Sequence, residues 1–439
     1  MSSAPADELT HAARLQRRWR GLGGVLFMLF YSVFFAAHME LAGTSLYLQD
    51  GVLAGAPTAS FVHDLTAQGV KAGSGGAGEN SAFLLLHHTP IRLLTAFLTL
   101  VAENGTTAGR HAVAALTAGA GALTLGMLYQ ALLWCGVGRW RAILFSSLAG
   151  TSMALMLFSA LPLPQVFSAL GLTAALAAVV RGRSGRWWEF AAAALYATCC
   201  SLFNLVPVLL LAVVRVVDQW RTSGSLRPVM LLPVNLAALL LLTLSAMEVQ
   251  GWIYPHSNQT RMTAVVQKAA QGIPPALGRL PEVTWADVGR EAFVTSMIAT
   301  GLASDGDPAV GSHARKVVMT QGPEVTPDLQ HGLQSAWLLL LLVGLLGLPS
   351  AGRGAPTALA LLVGSLGFVA TLPGQDAILT HAPLWTPALV FLVGIGVEQH
   401  VRRWRILGAL MPLLVLAMIV ALGLHNARFM AELGRMIAL

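Results

Sequence analysis

The sequence predicts an all-α, polytopic membrane protein of about eleven transmembrane helices, with a cytoplasmic N-terminus and two large extracytoplasmic loops that carry interfacial helices. Three observations predict it. The 439 residues are 55% hydrophobic and 11% charged, against about 25% charged in soluble domains, and the mean hydropathy is +0.67. Apolar runs recur along the whole chain, the longest reaching the roughly 20 residues a helix needs to cross a hydrocarbon core. The basic residues gather in alternate connections between these runs, the distribution that orients helices in a membrane. The net charge of +7 and pI near 9.8 therefore report orientation and no nucleic-acid partner.

Arg14, Arg17, Arg18 and Arg20 precede the first run, 21–43, which is longer than a signal-peptide core and reads as a retained signal anchor. Further spans are expected at 111–134, 142–160, 165–180, 187–203, 206–217, 229–246, 335–348, 356–372, 383–397 and 406–424. With the N-terminus inside, the inner connections hold Arg139 and Arg141, then Arg181, Arg183 and Arg186, then Arg215, Arg221 and Arg227, then Arg353, then Arg402, Arg403 and Arg405. Sixteen of the 27 Lys and Arg fall inside, while the outer turns 161–164, 204–205 and 373–382 hold none. Fifteen of the 20 acids fall outside, so chemistry is expected on the outer face. The chain divides into a membrane core, 1–249, with a first outer loop at 44–110, a second outer loop, 250–334, and C-terminal spans, 335–439. The second loop is too long for a connector, and Thr284, Trp285, Ala286 and Asp287 open a helix with an acidic capping box, so a small helical cap over the first loop is expected. Cys135, Cys199 and Cys200 lie in apolar segments without metal-ligand spacing and read as packing residues.

Within the first loop, 90–103 has helical periodicity. Ile91, Leu93, Leu94, Phe97, Leu98 and Val101 share one side, and Arg92, Thr95, Thr99 and Glu103 the other. Thr89 fits as N-cap and Pro90 as first helical residue. Fourteen residues are too few to span, so this helix is expected to lie in the interface with its apolar side down and its polar side in water.

Candidate functional residues sit at this outer level. Asp50, Glu40 and Asp64 are the acids placed to act as a general base, each also readable as a solvated loop or helix-end carboxylate. His87 and His88 suit contacts to a phosphate or sugar hydroxyl, a structural interface role or, as the lesser alternative, a divalent metal. Two neighbouring histidines do not easily face one metal, and no cofactor is expected. Arg92 suits an anionic headgroup or a pyrophosphate-like leaving group, and Glu248 and Asp376 join the outer-face acids as substrate-binding candidates. No charge lies near the middle of a span, which weighs against an ion-coupled transporter. These acids, imidazoles and guanidinium groups are expected to meet around one hollow above the lipid tails.

The run His87-His88-Thr89-Pro90-Ile91 resembles the histidine-proline motif that closes the acidic first loop of the GT-C membrane glycosyltransferases, a superfamily that includes protein mannosyltransferases and aminoarabinose transferases. The run Ser159 to Gln165 is similar to their Pro-Glu or Pro-Asp outer turn, with Gln165 in the acid's place, and Gly374-Gln375-Asp376 resembles a late outer turn. No Asp-Glu pair follows the first helix. The resemblance implies transfer of a sugar from a polyprenyl-phosphate donor to an acceptor on the extracytoplasmic face, in what the Ala, Gly and Leu bias suggests is a bacterial inner membrane. It implies Asp50 as base, with Arg92 on the departing lipid phosphate and His87 and His88 on donor or acceptor. Partners are then a lipid-linked sugar, membrane lipids and, in a second reading favoured by the missing acids, a protein held by a non-catalytic subunit of the same fold. A lipid-linked substrate carrier or flippase is the third reading.

Overall fold

The structure, a computed structural model, describes residues 6–44, 47, 58–67, 82–101, 105–182, 187–255, 289–299, 303–305, 316–318, 327–369 and 379–437. Each of the eleven expected spans falls on helix. Helix α1 (Ala6–Leu41) carries the arginine cluster into the first apolar run, and α2 (Thr58–Thr66) and α3 (Phe83–Val101) belong to the first long loop. There follow α4 (Gly105–Trp134), α5 (Arg139–Gly150), α6 (Met153–Ser159), α7 (Gln165–Val180), α8 (Trp187–Cys200), α9 (Leu205–Ser223) and α10 (Arg227–Ile253). The C-terminal part contributes α11 (Pro327–Gly347), α12 (Gly354–Val369), α13 (Thr386–Arg403) and α14 (Arg405–Ile437). Among the described residues, eight helices are long and apolar enough to cross a membrane, and the bent pair α5 and α6 brings the count to nine if the two are taken as one span. Several run past their expected edges, because terminal groups such as Asp218 and Glu432 stay helical while reaching for water or partners.

One end of the bundle is held by ion pairs. Glu398 of α13, 3% exposed, accepts from Arg141 Nε (2.7 Å) and Nη2 (2.9 Å) and pairs with Arg402 at 3.3 Å. Arg402 also donates to Gly136 O, Arg181 pairs with Glu189 at 2.9 Å, and Arg353 with Asp218 at 3.7 Å. Arg215 donates to Ala178 O (2.8 Å) and lies over the rings of Trp187 and Phe190. The arginine-bearing connections expected on one face therefore touch one another. Cys135, among them, is a free thiol whose pKa burial pushes up to about 12.

Helix α3 corrects the expectation for the first loop. It is 19 residues long and begins at Phe83, so Thr89 and Pro90 are exposed interior positions and not its start. The start is capped from a distance: Gln250 Oε1 of α10 accepts from Leu85 N–H (3.1 Å), and Ala82 N–H donates to Cys199 O (2.9 Å) at the end of α8. Its expected polar and apolar sides are each split, with Thr99 exposed and Ile91 buried. Thr95 is buried, bonds back to Ile91 O and lies against Gly109, while Leu93, Phe97, Leu100 and Val101 are exposed. Both ends of α3 stay at the end of the bundle opposite the arginines, since Cys199 and Gln250 close α8 and α10 there and Gly105 opens α4 there. The helix is long enough to cross a membrane but lies across this end of the bundle.

Within the second long loop, the Thr284–Asp287 capping box lies outside the described residues. The described part holds a π-helical turn (Glu291–Thr295) and an antiparallel ribbon, β1 (Ala303–Asp305) with β2 (Lys316–Val318). Residues 292 and 295–299 are buried in the bundle. Helices α5 and α6 bend by 64° at Thr151 and Ser152, which leaves the first amides of α6 without carbonyls of their own helix. Met153 N–H donates to Met297 O and Ala154 N–H to Ser296 O, both 2.9 Å. Asn426 of α14 locks the join, accepting from Ala299 N–H (3.0 Å) and donating to Thr151 O (2.7 Å) and Met297 O (3.1 Å). Irregular backbone is tolerated there because it is enclosed by protein that bonds it.

Helices α11 and α13 touch backbone to backbone. A Cβ on Gly396 would stand 1.9 Å from Gly344 O, and one on Gly347 2.1 Å from Gly396 O. Gly396→Val is therefore expected to cost about 3 kcal/mol or more and to lower the Tm in detergent, whereas Gly126→Ala, with nothing within 4 Å of its Cβ, should leave it unchanged or raised. Equal melting of the two variants would refute this contact.

Candidate functional site

The end of the bundle opposite the arginines gathers three histidine–tyrosine pairs. The last turns of α1 bury His38 completely, and its Nε2 meets Tyr47 Oη, which also lies 3.5 Å from Ala160 O in the turn before α7. His87 of α3 stacks on Phe83 (centroids 4.1 Å apart) and touches Phe167 at 4.5 Å. Its Nδ1 lies 2.9 Å from Phe83 O and its Nε2 2.9 Å from Tyr196 Oη. A carbonyl can only accept, so Nδ1 carries the proton and Nε2 accepts from the phenol. His88 has the opposite tautomer by the same reasoning: Nε2 donates to Ala67 O (3.1 Å) and Nδ1 accepts from Tyr254 O–H (3.1 Å). Burial pushes the Tyr254 phenol pKa up, and its hydrogen bond with Thr89 works against that shift. The phenol therefore stays a neutral donor.

The second feature is the C-terminus of α2. Its last carbonyls lack helical donors and carry the negative end of the helix dipole. His88 donates to Ala67 O, and Arg92 Nη1 donates to Thr66 O at 3.1 Å. Asp64, on the same short helix, is fully buried, stands 3.9 Å from His63 Nδ1, and acts electrostatically on His88 together with Arg92. Arg92 is half-buried, and its other guanidinium N–H groups have no hydrogen-bond partner among the described residues. Thr89 and Ala96 flank it on the exposed side of α3, followed by Leu93 and Leu100.

Of the residues expected to meet, the structure joins Asp64, His88 and Arg92. His87 is one residue away in sequence but is enclosed by aromatic rings, and both of its nitrogens are taken. Glu40 is exposed at the end of α1, and Glu248 is half-buried on α10. Neither makes an ion pair among the described residues. Asp50 and Asp376 lie outside the described residues. Among the described residues no group of three or more His, Cys, Asp or Glu stands together as a metal site.

The sequence reading missed Tyr47, Tyr196 and Tyr254. A signal existed: the chain has only five tyrosines, and these three fall at or near the ends of expected spans, where aromatic side chains with a polar tip collect. Tyr196→Phe should leave a buried His87 Nε2 unpaired and cost about 1–3 kcal/mol. The double variant His87→Phe, Tyr196→Phe should recover part of that, since no orphan acceptor remains. Thermal unfolding of the three proteins checks it, and full additivity would refute the pairing.

No family model and no curated protein matches the chain. Among solved structures it is similar to the crystal structure of ArnT from Cupriavidus metallidurans bound to undecaprenyl phosphate, at 15% identity with a TM-score of 0.47. The similarity covers 85% of this chain, which spans 60% of the other.

Proposed function

We propose that this protein is a membrane glycosyltransferase that takes a sugar from a polyprenyl-phosphate donor and gives it to an acceptor at the extracytoplasmic face of a bacterial inner membrane. The observation that supports it best is Arg92. Among the described residues its guanidinium makes one hydrogen bond, to Thr66 O, and keeps further donors for an anion, next to a strip in which Leu93 is 68% and Leu100 87% exposed. A fixed cation beside an exposed apolar strip suits a phosphate joined to a prenyl chain. The His87-to-Ile91 motif lies on the same helix.

In this reading an acceptor hydroxyl gives its proton to a carboxylate, Asp50 first and Glu40 next, as its oxygen attacks the anomeric carbon through an oxocarbenium-like state. The bond from that carbon to the donor phosphate breaks, and the lipid phosphate leaves with its charge stabilised by Arg92. Asp64 and His88 set the position of Arg92 through the end of α2. His87 holds α3 against α8, and Glu248 and Asp376 remain candidates for contacts to the acceptor.

A second reading, a non-catalytic subunit of related fold, is favoured by one observation: both nitrogens of His87 and of His88 are spent on protein partners. Transfer assays with a polyprenyl-phosphate sugar in proteoliposomes separate the two. Asp50→Asn should lower turnover by roughly 10²–10⁴-fold and Arg92→Gln by roughly 10²-fold or more, with both variants folded. Full activity of Asp50→Asn moves the base to Glu40. A wild type that neither binds nor turns over the lipid supports the subunit, and lipid movement between leaflets without transfer supports a carrier.

A further inference from the structure

Helix α10 is the most outward-facing of the long apolar helices: only 6% of its apolar window is buried. Its outward side repeats with the spacing of a helix–helix seam. Leu231, Asn235, Ala238, Leu242, Ser245 and Val249 follow one another at alternating steps of four and three residues, which places them on one stripe. Leu231 is 43% and Leu242 56% exposed, and Ala238, Ser245 and Val249 are exposed as well. Asn235 is half-buried and lines an apolar groove of about 220 Å³ between α8, α9 and α10, walled also by Ala191, Leu195, Ala212 and Leu239.

Neither Asn235 nor Ser245 has a hydrogen-bond partner among the described residues. Asn235 lies eight residues into α10 from Arg227, about 12 Å along the axis, which is hydrocarbon depth if Arg227 marks the boundary. A lipid chain filling the groove would satisfy its shape and leave the amide unpaired, at a cost. A carboxamide both donates and accepts, so it is complementary to a second copy of itself. Two copies of one membrane protein share an orientation, and a two-fold axis normal to the membrane brings their α10 helices together in parallel. A single Asn in an apolar seam sets the register of such a pair, and small residues such as Ala238 and Ser245 let backbones approach.

We propose that the α10 seam is a homodimer interface in which Asn235 of one copy hydrogen-bonds Asn235 of the other, with seam side chains of each copy filling the groove of its partner. Asn235 lies about 28 Å along the helix axis from Tyr254, which meets His88, and the proposal does not depend on the sugar-transfer reading.

The test is energy transfer between full-length chains, tagged at the N-terminus with donor or acceptor fluorophores, reconstituted in phospholipid vesicles over a range of lipid-to-protein ratios. The wild type should exceed random proximity and dilute out along a dimer curve. Asn235→Leu should weaken dimerisation roughly three- to thirtyfold, Asn235→Gln should keep most of it, and Ala238→Trp should abolish it by blocking close approach. The lipid-facing position lets all three fold, which their Tm values check. A wild type at the random-proximity level overturns the proposal, as does an Asn235→Leu curve that matches wild type. A monomer whose copurifying phospholipid falls in Ala238→Trp assigns the groove to lipid and overturns it too.

Discussion

A polar group enclosed in an apolar bundle must find its hydrogen bond inside the protein, and the architecture at the end opposite the arginines follows from that constraint. Three imidazoles are enclosed there, and three phenols meet them. Each pair joins segments far apart in the chain: α1 and the turn before α7 through Tyr47, α3 and α8 through Tyr196, α3 and the end of α10 through Tyr254. Since His88 and Arg92 also close the C-terminus of α2, the first long loop is fastened to the bundle by the same helix that carries the candidate motif.

The same constraint explains the inserted stretch of the second loop. A span broken at Thr151 and Ser152 would expose amides and carbonyls to an apolar interior. Residues 296–299 supply the carbonyls and Asn426 both a donor and an acceptor. Trp337 and Trp385 donate to Phe293 O and Ala292 O and hold the stretch from the other side. At the opposite end charge does the same work. Glu398 can be nearly fully buried because Arg141, Arg402 and the Gly138 amide surround its oxygens, and partners of this kind offset the desolvation of a buried carboxylate.

What the sequence made legible follows from which forces act locally. Apolar runs and the partition of arginines are local signals, and they located the helices and gathered the connections that meet around Glu398. The start of α3 was misplaced because its cap comes from Gln250, 165 positions away along the chain, which no local pattern contains. The burial of part of the polar side of α3 was hidden for a related reason: periodicity separates two sides of a helix without saying which residues meet protein, and here Thr95 and Arg92 are claimed by Gly109 and Thr66. The histidines were visible as a cluster, whereas their phenol partners were scattered singly through the chain. Asp64 was ranked below Asp50 and Glu40, yet among the described residues it is the acid that shares a site with His88 and Arg92.

Satisfaction of polar groups also sorts the residues by what they have left to offer. His87 and His88 have both ring nitrogens committed, so their contribution to any chemistry passes through the shape they impose on α3. Among the described residues, Arg92 has donors to spare beside an exposed apolar strip, and Asn235 has an unanswered amide on the most outward-facing of the long apolar helices. What sets these two positions apart from the other polar groups is that each borders exposed apolar surface, where another molecule can reach it. In the proposed readings the first is offered to an anion at the level where the bundle ends, and the second to an amide at the depth of the lipid chains. Their different heights and different chemistry argue that one occupant cannot serve both.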